Sequence, residues 1–220
     1  MSQLTSNIKT ALKQNLVPGI ALQLLALVIA LCYFYVPSTQ WLFIELGDLK
    51  SSLGWKYAML STSLFGGIIP FLYLKLSGQI SSHHYKIFLF YALFWAYKGI
   101  EIDFLYTMQA RWFGEGNDAA TLSKKVIVDQ FAYGTFWAAP TMAIGFLWME
   151  SNFSVKTWWH RIDRQLWLLQ IPTTLVTNWL IWLPAVTIIY AMPSQLQIPL
   201  FNLVLCFFVL LLSAISSRKD

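Results

Sequence analysis

The chain has 220 residues, 57% of them hydrophobic, 17% aromatic and only 11% charged, with a formal net charge of +5. Its mean hydropathy is +0.57. A water-soluble domain carries about 25% charged residues, so a soluble globule is excluded and the chain reads as an integral membrane protein. Its basic residues are scattered through short loops between apolar runs. Lys and Arg in such loops set membrane orientation, so the bilayer, and not nucleic acid, is the expected partner.

A bilayer crossing takes about 20 mostly apolar residues, and six stretches qualify: 17–36, 57–76, 86–106, 126–149, 166–191 and 198–216. Ahead of the first, Met1 to Asn15 is polar, with Lys9, Lys13 and no acid. No small-residue cleavage site follows the first apolar run, so a removed signal peptide is not expected. A short amphipathic helix on the membrane surface fits this stretch. Pro18 and Pro37 bound the first span, and Trp41 to Leu49 reads as a second surface helix. In 57–76, Gly66-Gly67 and Pro70 permit close backbone approach and a kink.

The adjacent His83 and His84 would point about 100° apart on a helix and make a poor metal pair. Segment 86–106 carries Lys98, Glu101 and Asp103. Lys98 and Glu101 are three apart and share a face, so they form a candidate buried charge pair; Asp103 points elsewhere. The segment either spans with its charges turned inward or lies in the interface. Residues 113–123 form an aqueous loop. Beyond the fourth span, Trp158, Trp159, Arg161 and Arg164 have the pattern of interfacial anchors. Arg218-Lys219 is a further anchor after the last span. Cys32 and Cys206 lie inside apolar runs, where a thiol packs as a small hydrophobe.

Six crossings would place nine basic residues on the side of both termini, from Lys9 and Lys13 to Arg218 and Lys219. Five would lie opposite: Lys50, Lys56, Arg111, Lys124 and Lys125. The bias puts both termini on the cytoplasmic or matrix-like side.

The fourth span opens on Asp129-Gln130, with Tyr133 on the face of Asp129. An unpaired charge in hydrocarbon costs about 2.5–3.5 kcal/mol on insertion scales, so these side chains must face other helices or a wet cavity. Asp129 pairs with Lys125 or another base, or else acts as a cation-attracting or gating group at a pore mouth. In the fifth span Gln170, Thr173, Thr174 and Thr177 share one helical stripe, with Asn178 at its edge. Such a stripe either lines an aqueous path or glues helices at about 0.6 kcal/mol per bond. There is no Cys-x-x-Cys, glycine-rich phosphate loop or nucleophile elbow, so no metal, cofactor or enzymatic chemistry is expected.

One region carries a family resemblance. Pro172-Thr173, Thr177-Asn178-Trp179, Trp182-Leu183-Pro184, Pro193-Ser194-Gln195 and Asn202 resemble the C-terminal signature of the 22-kDa peroxisomal membrane protein family, which has mitochondrial inner-membrane relatives. Lys125 with Asp129-Gln130 is similar to its Lys-x-x-x-Asp-Gln element. Gly66 with Tyr73 and Leu76 is more faintly similar to an upstream element. The likeness covers 57–77 and 124–213, which leaves 86–120 as an insertion relative to a family usually described with four spans. It implies a channel-like protein in the mitochondrial inner or peroxisomal membrane, or in the plasma membrane of a bacterium.

The expectation is an all-α, polytopic membrane bundle of five or six spans plus interfacial helices, in one domain covering 1–220. Its expected function is a pathway for small polar or anionic solutes, with self-association left open. Two other readings stand beside it. One is an intramembrane lipid-modifying enzyme using Asp103, Asp129 and His160 or His84. The other is a scaffold that transports nothing.

Overall fold

A computed structural model describes residues 3–80 and 83–216. Among these residues every regular element is helical and there is no strand. The helices are α1 (Gln3–Tyr35), α2 (Gln40–Leu53), α3 (Trp55–Leu76) and α4 (His84–Phe113), then α5 over 119–150. They continue with the short α6 (Val155–Arg161), α7 (Leu166–Ala191) and α8 (Ser194–Ser216).

Four of them are long and apolar enough to cross a membrane: α1, α3, α7 and the Ser194–Leu211 part of α8. The chain is therefore an all-α protein with the build of an integral membrane protein. That is fewer than the five or six such helices expected from the sequence. The difference lies in α4 and α5, whose buried polar residues dilute their apolar character. Arg218-Lys219 lies outside the described residues.

The N-terminal stretch does not form a separate surface helix. Between Thr5 and Val17 there is no Gly or Pro, and extending a helix is easier than nucleating a new one. So α1 runs unbroken for 33 residues through Pro18. At 1.5 Å per residue it is about 50 Å long, well beyond a hydrocarbon core of about 30 Å.

Three helices contain a π-helical stretch: Ser63–Ile68 in α3, Val128–Ala138 in α5 and Leu166–Gln170 in α7. Each ends two residues before a proline: Pro70, Pro140 and Pro172. A proline ring lacks an N–H and clashes with the carbonyl four residues back. Widening the preceding turn moves that carbonyl aside and keeps the helix continuous.

Glycines bring α3 and α4 together. A methyl group added at Gly99 of α4 would sit 2.3 Å from the Ala58 carbonyl oxygen, and one at Gly67 of α3 would sit 2.6 Å from that of Tyr91. Only hydrogen fits at either place, and the two backbones touch as small residues allow in membranes. Ser63 donates to the Ala92 carbonyl across the same seam (2.8 Å). Helix α8 fills the centre, against α1, α2, α3 and α7. There Asn202 accepts from Thr62 (2.8 Å) and donates to Ser61 (2.7 Å). Lys50 of α2 reaches Asp103 of α4 at 2.8 Å, a partner on the surface helix that explains why Asp103 leaves the Lys98–Glu101 face.

Candidate functional site

A cavity of about 340 Å³ opens among α4, α5, α7 and α8. Most of its wall is aromatic or aliphatic, with Trp95 from α4, Phe146 from α5, Trp182 from α7 and Phe201 and Phe208 from α8. Into this apolar space project Lys98 from α4, Asp129, Gln130 and Tyr133 from α5, and Thr174 and Asn178 from α7.

Local sequence explains how each arrives there. On α4, Tyr91, Trp95, Lys98, Ile102, Tyr106 and Gln109 recur at steps of three and four residues and are all buried. They form one inward stripe that includes both cavity walls and its cation. On α5, Asp129, Gln130 and Tyr133 all lie in the π-helical stretch. The Gln130 carbonyl there accepts from the Thr135 hydroxyl (3.1 Å) and from Trp179 Nε1 of α7 (3.2 Å). Those bonds occupy an oxygen exposed by the widened turn, as a non-aqueous surrounding requires. Thr174 and Asn178 are four apart on α7 and so share one face.

Two hydrogen-bond networks fix the charged groups. In the first, Tyr190 of α7 donates to Asp129 Oδ2 at 2.6 Å, Gln130 donates to Asp129 Oδ1 at 2.7 Å, and Gln109 of α4 donates to the Tyr190 hydroxyl at 2.7 Å. The Tyr106 ring leans on that of Tyr190 with centroids 4.9 Å apart. In the second, Lys98 Nζ lies 2.7 Å from Glu101 Oε1 and donates to Thr141 Oγ1 at 2.8 Å. The Tyr133 hydroxyl donates to the same Glu101 oxygen. Lys98 is only 2% exposed, a depth at which an ion pair survives only with such added bonds.

The basic partner expected for Asp129 is not at its carboxylate. Lys125 is buried, but its ammonium stands over the Tyr190 ring, 5.7 Å from the centroid, a cation–π placement. Tyrosine and glutamine hold the acid instead. Among the described residues no basic group comes within 4.0 Å of it.

The polar stripe expected on α7 divides. Thr174 and Asn178 line the cavity, whereas Gln170, Thr173 and Thr177 do not. Thr177 is buried and donates to the Thr173 carbonyl at 2.8 Å, a bond within its own helix. The Thr173 hydroxyl is buried without a partner, and Gln170 is exposed. The π-helical turn Leu166–Gln170 accounts for Gln170, because it changes the rotation per residue there; Thr173 and Thr177 lie about 100° round the helix from Thr174 and Asn178.

At the interfacial anchor segment, Trp158 is half-buried and donates to the Ile144 carbonyl at 3.0 Å, docking α6 on α5. Trp159, Arg161 and Arg164 are exposed. Arg161 also bonds Glu150 at 3.0 Å and Ser151 at 3.3 Å.

Gln109, Tyr106 and Tyr190 belong to the site without having been singled out in the sequence, and Trp182 entered there only as part of the family resemblance. A signal existed for Gln109. It continues the stripe of Lys98 by three turns, just past the expected end of that span. Tyr190 carried none, since aromatic residues are frequent throughout these helices. Among the described residues no group of three or more His, Cys, Asp or Glu is placed to hold a metal ion. No protein-family model, curated protein or solved structure matches the chain, so the chemistry of the site rests on its own geometry.

Proposed function

We propose that this chain is a channel-like membrane protein that gives small polar solutes a path through the cavity among α4, α5, α7 and α8. On this reading six helices cross the bilayer: the four apolar ones and, between them, α4 and α5. At 30 residues α4 is long enough to cross. Its mid-helix charged residues, Lys98, Glu101 and Asp103, are paired, as intramembrane ionisable groups must be.

The observation that carries the proposal is the convergence of Lys98, Asp129, Gln130, Tyr133, Thr174 and Asn178 from three helices on one cavity. Hydrogen bonding between helices would need each polar group satisfied by another. Asn178 and Thr174 instead face open space. The likeness of Asp129-Gln130 and Thr177-Asn178-Trp179 to the 22-kDa peroxisomal membrane protein family supports the same reading. It also suggests an inner mitochondrial or peroxisomal membrane in a eukaryote, or the plasma membrane in a bacterium.

Efflux from sealed proteoliposomes loaded with small radiolabelled solutes tests it. The wild-type chain should release them faster than empty vesicles, and Asp129→Asn and Asn178→Leu should change the rate severalfold. Vesicles as tight as protein-free ones, with correctly folded protein in the bilayer, would overturn the proposal.

A further inference from the structure

The cavity has a sign. Two charged side chains line it, Lys98 and Asp129. Lys98 is matched by Glu101 at 2.7 Å, so that pair is neutral overall. Asp129 has only the neutral Tyr190 and Gln130 at its oxygens and, among the described residues, no base within 4.0 Å. One acidic group without an ionic partner therefore sits in a largely apolar chamber. Such a group is costly unless a counter-charge joins it.

Aromatic side chains share the cavity with that acid. Tyr106 leans on Tyr190, Trp179 bonds the Gln130 carbonyl, and Trp182 lies tilted against Phe201 with centroids 5.5 Å apart. Tyr106, Trp179 and Trp182 all line the cavity. A carboxylate beside several aromatic faces is the environment that attracts an organic ammonium ion, through charge and through the ring quadrupoles.

We propose that the cavity binds a small organic cation. Its ammonium group sits against Asp129, among the rings of Tyr106, Trp179 and Trp182. This rests on the cavity being the solute site argued above, and it selects cations over the anionic solutes that the sequence left open. A strongly hydrated metal cation would gain little from such walls, whereas a weakly hydrated ammonium ion exchanges water for ring faces.

Titration calorimetry on the purified full-length chain in detergent tests it with choline and with 3,3-dimethylbutan-1-ol, the uncharged isostere. Choline should bind saturably and at least tenfold more tightly than the alcohol. Asp129→Asn should abolish that preference, since an amide still bonds Tyr190 but carries no charge. Trp182→Leu should weaken choline severalfold and Trp182→Phe should restore most of the loss. Equal binding of the two ligands to the wild-type chain overturns the proposal without reference to any variant. So does a preference that survives Asp129→Asn, or an absence of saturable choline binding. The comparison also separates the two readings. Tight choline binding without solute flux would sink the channel and leave the cation site, and flux of neutral solutes with no choline preference would do the reverse.

Discussion

Tyr190 donates its hydroxyl proton to Asp129 across 2.6 Å, joining residues 61 apart in the chain. The bond ties the π-helical stretch of α5 to the C-terminal half of α7. Through Gln109 it also reaches α4, so one phenol fastens three of the four helices that enclose the cavity.

Tyr190→Phe removes that link and leaves the Gln109 amide and one carboxylate oxygen without their partner. A buried polar group left unpaired costs about 1–3 kcal/mol. The variant should lose stability by about that amount in denaturant unfolding from detergent micelles. A variant as stable as wild type would mean that water replaces the phenol.

The Lys98–Glu101 pair calls for a different test. Removing one partner of a buried pair strands the other and costs about 3–5 kcal/mol, while replacing both with apolar residues is often neutral. Lys98→Met and Glu101→Leu should each destabilise strongly, and the double variant should recover most of the loss. Additive losses in the unfolding cycle would show that the two side chains are not coupled and would contradict the pairing. Tyr133 and Thr141 also touch this pair and lose their bonds in the double variant, so its recovery should stop short of wild type.

At the α3–α4 seam, Gly99→Ala would push a methyl group to 2.3 Å from the Ala58 carbonyl oxygen. Overpacking of this kind costs about 1–3 kcal/mol or more, through backbone shifts. Gly19→Ala meets its nearest neighbour, Ile181, at an ordinary 3.4 Å and should be nearly neutral. Thermal unfolding of the two variants side by side checks the contrast; equal melting temperatures would refute the close seam.

The cap at the N-terminus of α5 should respond to acid. Asp118 caps it, accepting from the Ala120 and Thr121 amides at 3.1 Å each. Bonds from Thr121, through its side chain and backbone, hold the carboxyl below its ordinary value. A carboxyl lowered in the folded state stabilises above its unfolded value near pH 4 and ceases to do so as pH falls below it. Protection of the Ala120 and Thr121 amides, relative to the intrinsic exchange rate at each pH, should therefore fall in that range. Asp118→Asn, which keeps a cap without a charge, should remove the pH dependence.

How much of this was legible in the sequence follows from where each partner lies. The helical build and the apolar runs came from composition and length, which are local and need no partner. Lys98 and Glu101 were readable because they are three apart on one helix. The placement of Asp103 against Lys50, and of Asp129 against Tyr190, was not readable. Each depends on a distant helix whose rotation the sequence does not state. Regular spacing also misled on α7, where a widened turn before Pro172 moves Gln170 to the outside. The three prolines that follow π-helical stretches were the available warning. The length of α1 was obscured by Lys9 and Lys13, which look like a surface helix although nothing between them and Val17 ends the first one.

The most direct measurement is water access to Asn178 in the assembled bundle. In a background free of Cys32 and Cys206, Asn178→Cys should react with a membrane-impermeant thiol reagent added to intact proteoliposomes, and the modified protein should release solute more slowly. If the introduced thiol stays unmodified in the bilayer, yet reacts once the chain is unfolded, the cavity is sealed from water and no solute passes through it.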